Sequence, residues 1–411
     1  MHHISEFGRF PSRPAPENLR PRPDRRAIAT VLPRESKMTV GELSAHGWRY
    51  DAPVSRVFPE SLAYSATGHL AYVGEEAQGQ FIVVDGRPSL NFFEAISNEL
   101  GWSPDGQHYA FVGMRGTQAL VVAANNLWPI EGAPISGHFA QNQDGSQIAW
   151  ITQAKQQQLF LNGQLLWEAP EFVDKPVWSP DGQRIAFAFT DEISSGVMVQ
   201  VDGREFGPYP SLLKGTPVWS PDSQRCAWII QRKGKSVVVI DGEEFGLPFS
   251  VVQGGTLSLS PDGTQWALAA HTGFLNLKGC VVVNGQSGPV YVALGTTAPV
   301  WNPLGDALAY FVARGLKHTF IVCDGREGQR CTAFIDGSLT WHPDGEFVGC
   351  IAQQEGKPCL VLEGRDGHSS SHRPEAGFLL RGEKVTFGEG RSLHDLGFRE
   401  DGTFFSWTAQ F

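Results

Sequence analysis

Sulfur, charge and long apolar runs are all scarce in this 411-residue chain. It carries only 6 cysteines and 4 methionines. None of the cysteines (Cys226, Cys280, Cys323, Cys331, Cys350 and Cys359) falls in a CxxC pair or a Cys/His finger spacing, which excludes the common structural zinc motifs. They lie mostly within apolar runs, so buried free thiols are expected, with a Cys350–Cys359 bridge between neighbouring strands as the alternative and a weak lean towards a reducing compartment. Charged residues make up 18% against 41% hydrophobic, a balance that excludes a solvated, disordered polymer. The net charge of −10 speaks against a surface built to neutralise phosphates, so nucleic acid is not an expected partner. No stretch reaches the roughly 18 consecutive apolar residues of a membrane-crossing helix, and no apolar segment follows the start as in a secretory leader. A soluble, cytoplasmic chain without a membrane partner is expected, periplasmic or secreted if a native leader is missing.

Catalytic motifs are missing too. There is no GxSxG elbow, HExxH helix or phosphate-binding loop, and the Gly254–Gly255 pair has no following Lys-Ser or Lys-Thr. The Ser369–His372 run sits among Ser, Gly and Pro residues and reads as a solvated insertion. No catalytic residue, metal or cofactor is therefore expected.

What is plentiful is turn punctuation, 47 glycines and 27 prolines, which suits many short strands. Residues 1–37 stand apart: eight basic side chains face four acidic ones, with prolines at 11, 14, 16, 21, 23 and 33. Such a composition predicts an extended or disordered basic arm, or a non-native extension ahead of Met38. A basic arm binding an acidic partner is the functional alternative.

Beyond residue 45 the chain repeats itself. PVWSPDGQRIAFAF from Pro176 and PVWSPDSQRCAWII from Pro217 are the clearest copies, with further ones at Leu100, Leu257, Pro299 and Leu339 and degenerate ones at Leu62, Phe139 and Leu396. The aromatic position of each copy falls at Tyr64, Trp102, Gln141, Trp178, Trp219, Leu259, Trp301, Trp341 and Phe398, in steps of 38, 39, 37, 41, 40, 42, 40 and 57. Each copy reads as an apolar strand, a Ser-Pro-Asp-Gly turn and a returning strand. A second hairpin follows with Asp-Gly or Asn-Gly at its tip, as in FIVVDGR from Phe81 and VVVNGQS from Val281. Four antiparallel strands in about 40 residues cannot cover both of their own faces, so neighbouring copies must stack, and radial stacking gives a β-propeller.

The WSPDG hairpins and their period resemble the WD40-like propeller repeats typified by TolB and by the propeller domains of prolyl-oligopeptidase-type proteins. The resemblance covers roughly residues 46–411 and implies a fold, not a function. Three copies depart from it: Gln143 replaces the turn proline, Leu304 the turn aspartate, and Ser-Ala-Thr-Gly the whole turn of the Leu62 copy. These are expected to keep the hairpin but lose side-chain capping. The fold class expected is all-β, a single propeller domain over residues 38–411. Eight copies have room for four strands, and the ninth, ending at Phe411, has only two. Aligning His46–Ser61 with an outermost strand predicts that the two chain ends share the ninth blade; nine blades are favoured, with eight or seven as alternatives. The long step predicts an insertion loop at about 363–377.

The repeated turn aspartates (Asp105, Asp181, Asp222, Asp262, Asp344) read as backbone-bonding turn residues rather than calcium ligands. The tryptophan series reads as packing between blades rather than a stacking platform for a ligand. One constellation comes from the register alone. The residue just before each innermost strand should sit at one mouth of the channel, and there Glu99, His138 and Lys175 fall in adjacent blades, with Asp395 further round. They are the candidate ligand-binding residues, against an ordinary wet rim. The function expected is a noncatalytic, monomeric scaffold binding a protein or peptide through its loop faces. The rival is a polysaccharide lyase or hydrolase with His138 as base and Lys175 neutralising an acidic substrate; a third reading is an accessory domain gating a partner enzyme.

Overall fold

In the computed structural model the chain is described except at residues 1, 10–19, 23–26, 35–36, 45–46, 98–99, 124–125, 132, 250, 273–277, 316–317, 356, 373–378, 381–384, 388–391, 399–402 and 411. The protein is all-β: among the described residues there is no α-helix, and antiparallel strands form sheets of four or five strands, each from one continuous stretch of chain except the sheet that pairs the two chain ends. Contacts divide it into two units. One consists mainly of residues 170–395, the other of residues 3–169 together with 396–407.

Each repeat folds as its punctuation dictates. In the sheet over residues 177–209, Val177–Trp178 pairs Ile185–Asp191, which pairs Gly196–Val201, which pairs Arg204–Tyr209. The second hairpin turns at Asp202 and Gly203, both at positive φ (48° and 82°), and the same pair of left-handed residues recurs at Asp85–Gly86, Asn162–Gly163, Asp241–Gly242, Asn284–Gly285 and Asp324–Gly325. This turn twists with its strands, and only Gly, Asn and Asp adopt it readily. Its Asp or Asn also reaches back across the sheet: the Asp241 carboxylate accepts from the Cys226 N–H (3.0 Å), and the Asn162 and Asn284 side chains do the same for Ile148 and Trp266.

The first turn is held by a different device. Ser220 Oγ donates to Asp222 and accepts the Arg225 N–H (2.9 Å), while Asp222 accepts the Gln224 N–H (3.0 Å). Ser103, Ser179 and Ser260 repeat it with Asp105, Asp181 and Asp262. The degenerate copies were expected to lose this capping and do not. Ser65 Oγ accepts the His69 N–H, Asn142 that of Gln147, and Asn302 those of Asp306 and Ala307. The cap is the residue at the serine position, so loss of the proline or the aspartate leaves it standing.

The repeated tryptophan tightens one sheet onto the one before it. Trp219 Nε1–H donates to the Val177 carbonyl (3.1 Å), Trp341 to Val300 (2.8 Å) and Trp102 to Ala63 (3.1 Å). At the degenerate copy Gln141 Nε2–H donates to the Gly101 carbonyl (3.0 Å), so an amide does the work of an indole. Trp301 is the exception. Its Nε1–H is buried without a partner, and in the preceding sheet Ser258 donates to the Pro299 carbonyl instead. The post-turn residue then covers the ring, as the Arg184 guanidinium does over Trp219 (4.8 Å) and the His69 ring over Trp102 (6.2 Å). Replacing Trp219 by Phe keeps the packing and removes the bond; urea unfolding of Trp219→Phe should show a loss of about 1 kcal/mol.

The chain ends depart from the sequence reading in three places. First, the boundary expected at residue 37 falls inside a hairpin. Ala27–Arg34 pairs Lys37–Ser44 along its whole length, and with Arg20–Pro21 and Gly47–Tyr50 it forms a sheet of its own. The 37-residue average hid an AIATVL run whose Ala29, Thr30 and Leu32 are buried. The sheets consequently number ten among the described residues, one more than the nine repeats. Second, the outer strand of the terminal sheet is His2–Arg9, which pairs Thr403–Gln410, and not His46–Ser61, whose Gly47–Tyr50 is taken by the new sheet. Third, Ser369–His372 is no insertion loop but the fourth strand of the sheet begun at Ala333–Phe334, paired with Lys357–Gly364 across a turn at Gly367 (φ 88°). Residues 373–377 of the expected loop lie outside the described residues.

All six cysteines are buried free thiols. Cys350 lies opposite Val361 and Cys359 opposite Ala352. That diagonal offset, about 7–8 Å between neighbours of this kind, is beyond the reach of a disulfide.

Candidate functional site

The register position that singled out the four charged residues proves to have a structural duty in other copies. Ser61, Thr216, Thr256 and Ser338 are buried, each donating to a carbonyl three residues earlier: Phe58 (2.6 Å), Leu213 (2.7 Å), Gln253 (2.7 Å) and Ile335 (2.6 Å). In three of them the same oxygen accepts a backbone N–H from the second strand: Val73, Ala269 or Ile351. The hydroxyl thus ties the crossover into its sheet, and the position does not look out of a mouth in these copies.

A charged side chain cannot take that buried place unpaired, so it must turn to water. Lys175 does so: it is exposed, and its backbone N–H donates to the Asp174 carboxylate (2.8 Å). Glu99 lies outside the described residues. His138 and Asp395 lie within the strands Ala133–Gln141 and Ser392–Phe398, but their side chains are outside the description. Of the four, the structure therefore places only the Lys175 side chain.

Around Lys175 the 170–395 unit carries a polar belt that the repeat pattern did not announce. The crossovers before successive innermost strands are laced side to side. The Asp174 carboxylate accepts the Gly215 N–H (3.3 Å), Gln253 Nε2–H donates to the Thr296 carbonyl (3.0 Å), and the Asp336 carboxylate accepts the Thr296 N–H (2.7 Å) and hydroxyl. These residues sit in segments with no shared motif, so only their spacing of about 40, the same as that of the turns, could have flagged them. The described carboxylates here, Asp174 and Asp336, accept from backbone and hydroxyl groups. Among the described residues no group of three or more His, Cys, Asp or Glu could hold a metal ion.

Perturbed carboxyls lie elsewhere. Asp105, Asp181 and Asp262 are held below the ordinary Asp value, first by the Ser hydroxyl that donates to each and then by a backbone N–H. A depressed folded value means stability present above the unfolded value of 3.8 and lost as pH falls through the folded one. Ser179→Ala should therefore move the Asp181 carboxyl back up towards 3.8, measured by carboxyl NMR titration. Glu363 goes the other way. It is 2% exposed, and burial raises its carboxyl while the Gln329 N–H (2.6 Å) and Ser369 hydroxyl (2.8 Å) donate to it. Its stabilising contribution is present below 4.5 and lost as pH rises through the raised value, so Glu363→Gln should flatten that fall in a pH series of thermal melts.

No family model and no curated protein matches the chain. Among solved structures it is similar to a crystal structure of the eukaryotic initiation factor, at 13% identity over 90% of either chain with a TM-score of 0.48. It is also similar to TolB from Acinetobacter baumannii, at 15% identity over 66% of this chain and 78% of that one with a TM-score of 0.27. A third likeness is to the tricorn protease, at 13% identity over 92% of this chain but 42% of that one, also with a TM-score of 0.27. Likenesses this loose say nothing about chemistry, which the residues here must carry themselves. Among the described residues no helix is long and apolar enough to cross a membrane.

Proposed function

We propose that the chain is a noncatalytic β-propeller scaffold that binds a protein or peptide through its loop faces. One observation carries this reading: the recurring chemical side chains of the motif are engaged within the fold. The turn serines and aspartates bind each other and the backbone, and the tryptophan or its glutamine substitute binds the neighbouring sheet. What varies from copy to copy, and is left facing water, is the loops. Their exposed apolar residues Leu90, Ile193, Val290 and Leu304 are of the kind a partner covers.

In this reading the stacked sheets are blades, and the pairing of His2–Arg9 with Thr403–Gln410 is the latch that closes them into one ring. The chain is a monomer that binds neither nucleic acid nor membrane. Glu99, His138, Lys175 and Asp395 contribute charge where other copies bury a hydroxyl, and they contact a polar or charged tip of the partner. Selection of a displayed peptide library on the immobilised protein tests this. Enriched peptides should bind the wild type and lose at least tenfold in affinity to a Glu99→Ala/His138→Ala/Lys175→Ala variant; unchanged affinity removes the arc from the contact, and no enrichment overturns the scaffold reading. Release of unsaturated products from an acidic polysaccharide, absent in His138→Ala, would establish the lyase instead.

A further inference from the structure

One register place fills the joint between neighbouring sheets. It is the third residue of the outer strand, held by Trp128 in Asn126–Pro129, Phe206 in Arg204–Tyr209 and Phe245 in Glu243–Gly246. From it each ring packs on a tryptophan in the second strand of the next sheet: Trp128 on Trp150 (5.8 Å), Phe206 on Trp228 (5.1 Å) and Phe245 on Trp266 (6.2 Å). The rings also close over the next sheet's second turn, the Phe206 ring lying 2.8 Å from where a Cβ on Gly242 would sit. After the shorter outer strand Arg326–Glu327 the place falls to Gly328, and there the Glu363 side chain of the next sheet occupies the space a Cβ would need.

After Arg87–Pro88 the same place falls to Ser89, whose N–H donates to the Ile82 carbonyl (2.7 Å). A hydroxyl cannot fill the room of a ring, and a cavity of about 200 Å³ lies between this sheet and the next. Phe111 and Val122 line it and are buried, with the Tyr109 ring nearly parallel to that of Phe111 (6.3 Å, 13°). Phe111 is the third residue of Tyr109–Arg115, as Trp228 is of Cys226–Arg232, so the cavity sits where the missing ring would have rested. Asn91 and Gln107 also line it and are exposed, so it opens to water.

We propose, resting on the scaffold reading, that this cavity seats an aromatic side chain, tryptophan or tyrosine, of the partner peptide. The other sheets set the chemistry: the same surroundings elsewhere close on a ring supplied by the chain itself. The room suffices, since an apolar cavity of about 150 Å³ accepts benzene. The mouth favours a ring with an N–H or O–H at its edge over phenylalanine, because the Asn91 and Gln107 amides offer hydrogen bonds there. Arg115 holds the Asn91 amide in place by donating to its oxygen (3.1 Å). Between Ser89 and Asn91, Leu90 is 94% exposed and gives the residues flanking the anchor an apolar ledge to cover.

Methyl NMR of the full chain, with indole as the probe, tests the seat. Indole should shift the Val122 methyls saturably and leave those of Val252, buried in the other unit, unmoved. Ser89→Phe supplies the ring that other sheets carry; it should melt no lower than the wild type and abolish the shift, with Ser89→Leu as the smaller plug if phenylalanine disturbs the fold. No shift in the wild type, or an equal shift in a natively melting plugged variant, overturns the proposal. Peptides enriched on the wild type should carry tryptophan or tyrosine, compete with indole and lose at least tenfold in affinity to the plugged variant. Peptides that bind both proteins equally overturn the seat and leave the scaffold reading standing; no enrichment at all overturns the scaffold reading and, with it, the peptide as the source of the ring.

Discussion

A chain shortened to begin at Met38 should be severely destabilised. The deletion removes the strand Ala27–Arg34, so Lys37–Ser44 loses its eight-residue partner and Val40 and Leu43, now 1% and 0% exposed, open to water. Those two side chains alone are worth roughly 3–6 kcal/mol of burial. The core that Ala29 and Val40 share with Val54, Val57, Leu62, Leu70 and Tyr72 loses one wall. The polar contacts across that wall lose their scaffold too: Tyr64 donating to Glu42, Tyr72 to Asp51 (3.1 Å), and Thr39 to the Asp51 carbonyl (2.7 Å). Urea unfolding of the full chain beside the 38–411 fragment checks this. A fragment as stable as the parent would show that the first sheet contributes nothing.

The second large effect is expected in the other unit. Trp228 is the largest fully buried side chain among the described residues, packed among Ala186, Val199, Tyr209 and Val239 with the Phe206 ring at 5.1 Å. It lies on the second strand of its sheet, Cys226–Arg232, packed against buried residues of both its own and the preceding sheet. Trp228→Ala should cost about 3–5 kcal/mol, at the upper end for a core aromatic. Leu304→Ala, 63% exposed at its turn, should leave the unfolding midpoint unmoved. The pair of variants separates loss of packing from a general intolerance of substitution.

Most of the fold was legible because the repeat writes the same physics many times. One WSPDG could be chance, but copies spaced near 40 residues fix the hairpins and turn type of each sheet together, although in six of the ten sheets among the described residues a short extra strand makes five where four were expected. Legibility failed where composition was averaged or a motif ran out. The Ala27–Arg34 strand was masked by the arginines and prolines around it, and Ser369–His372 was masked by its polarity, although a serine run can pair along an outer edge where one face meets water. The candidate site suffered from a different gap. Register says which residue precedes a strand but not where its side chain points, and the buried hydroxyls of Thr216 and Thr256 show that the answer depends on whether the side chain can satisfy a backbone group.

The tryptophan contact has a consequence for how such a chain grows and shrinks. In four copies its acceptor is a main-chain carbonyl, at Val177, Val300, Ala63 or Gly101, so there the bond asks nothing of the neighbour's side chains. Between such copies, a unit carrying its own donor needs only an open carbonyl on the unit before it. Duplication or excision of one 40-residue unit between two such copies would leave a junction whose donor and acceptor are both in place, and Gln141 shows that an amide serves as the donor. The units themselves are then free to diverge in their loops.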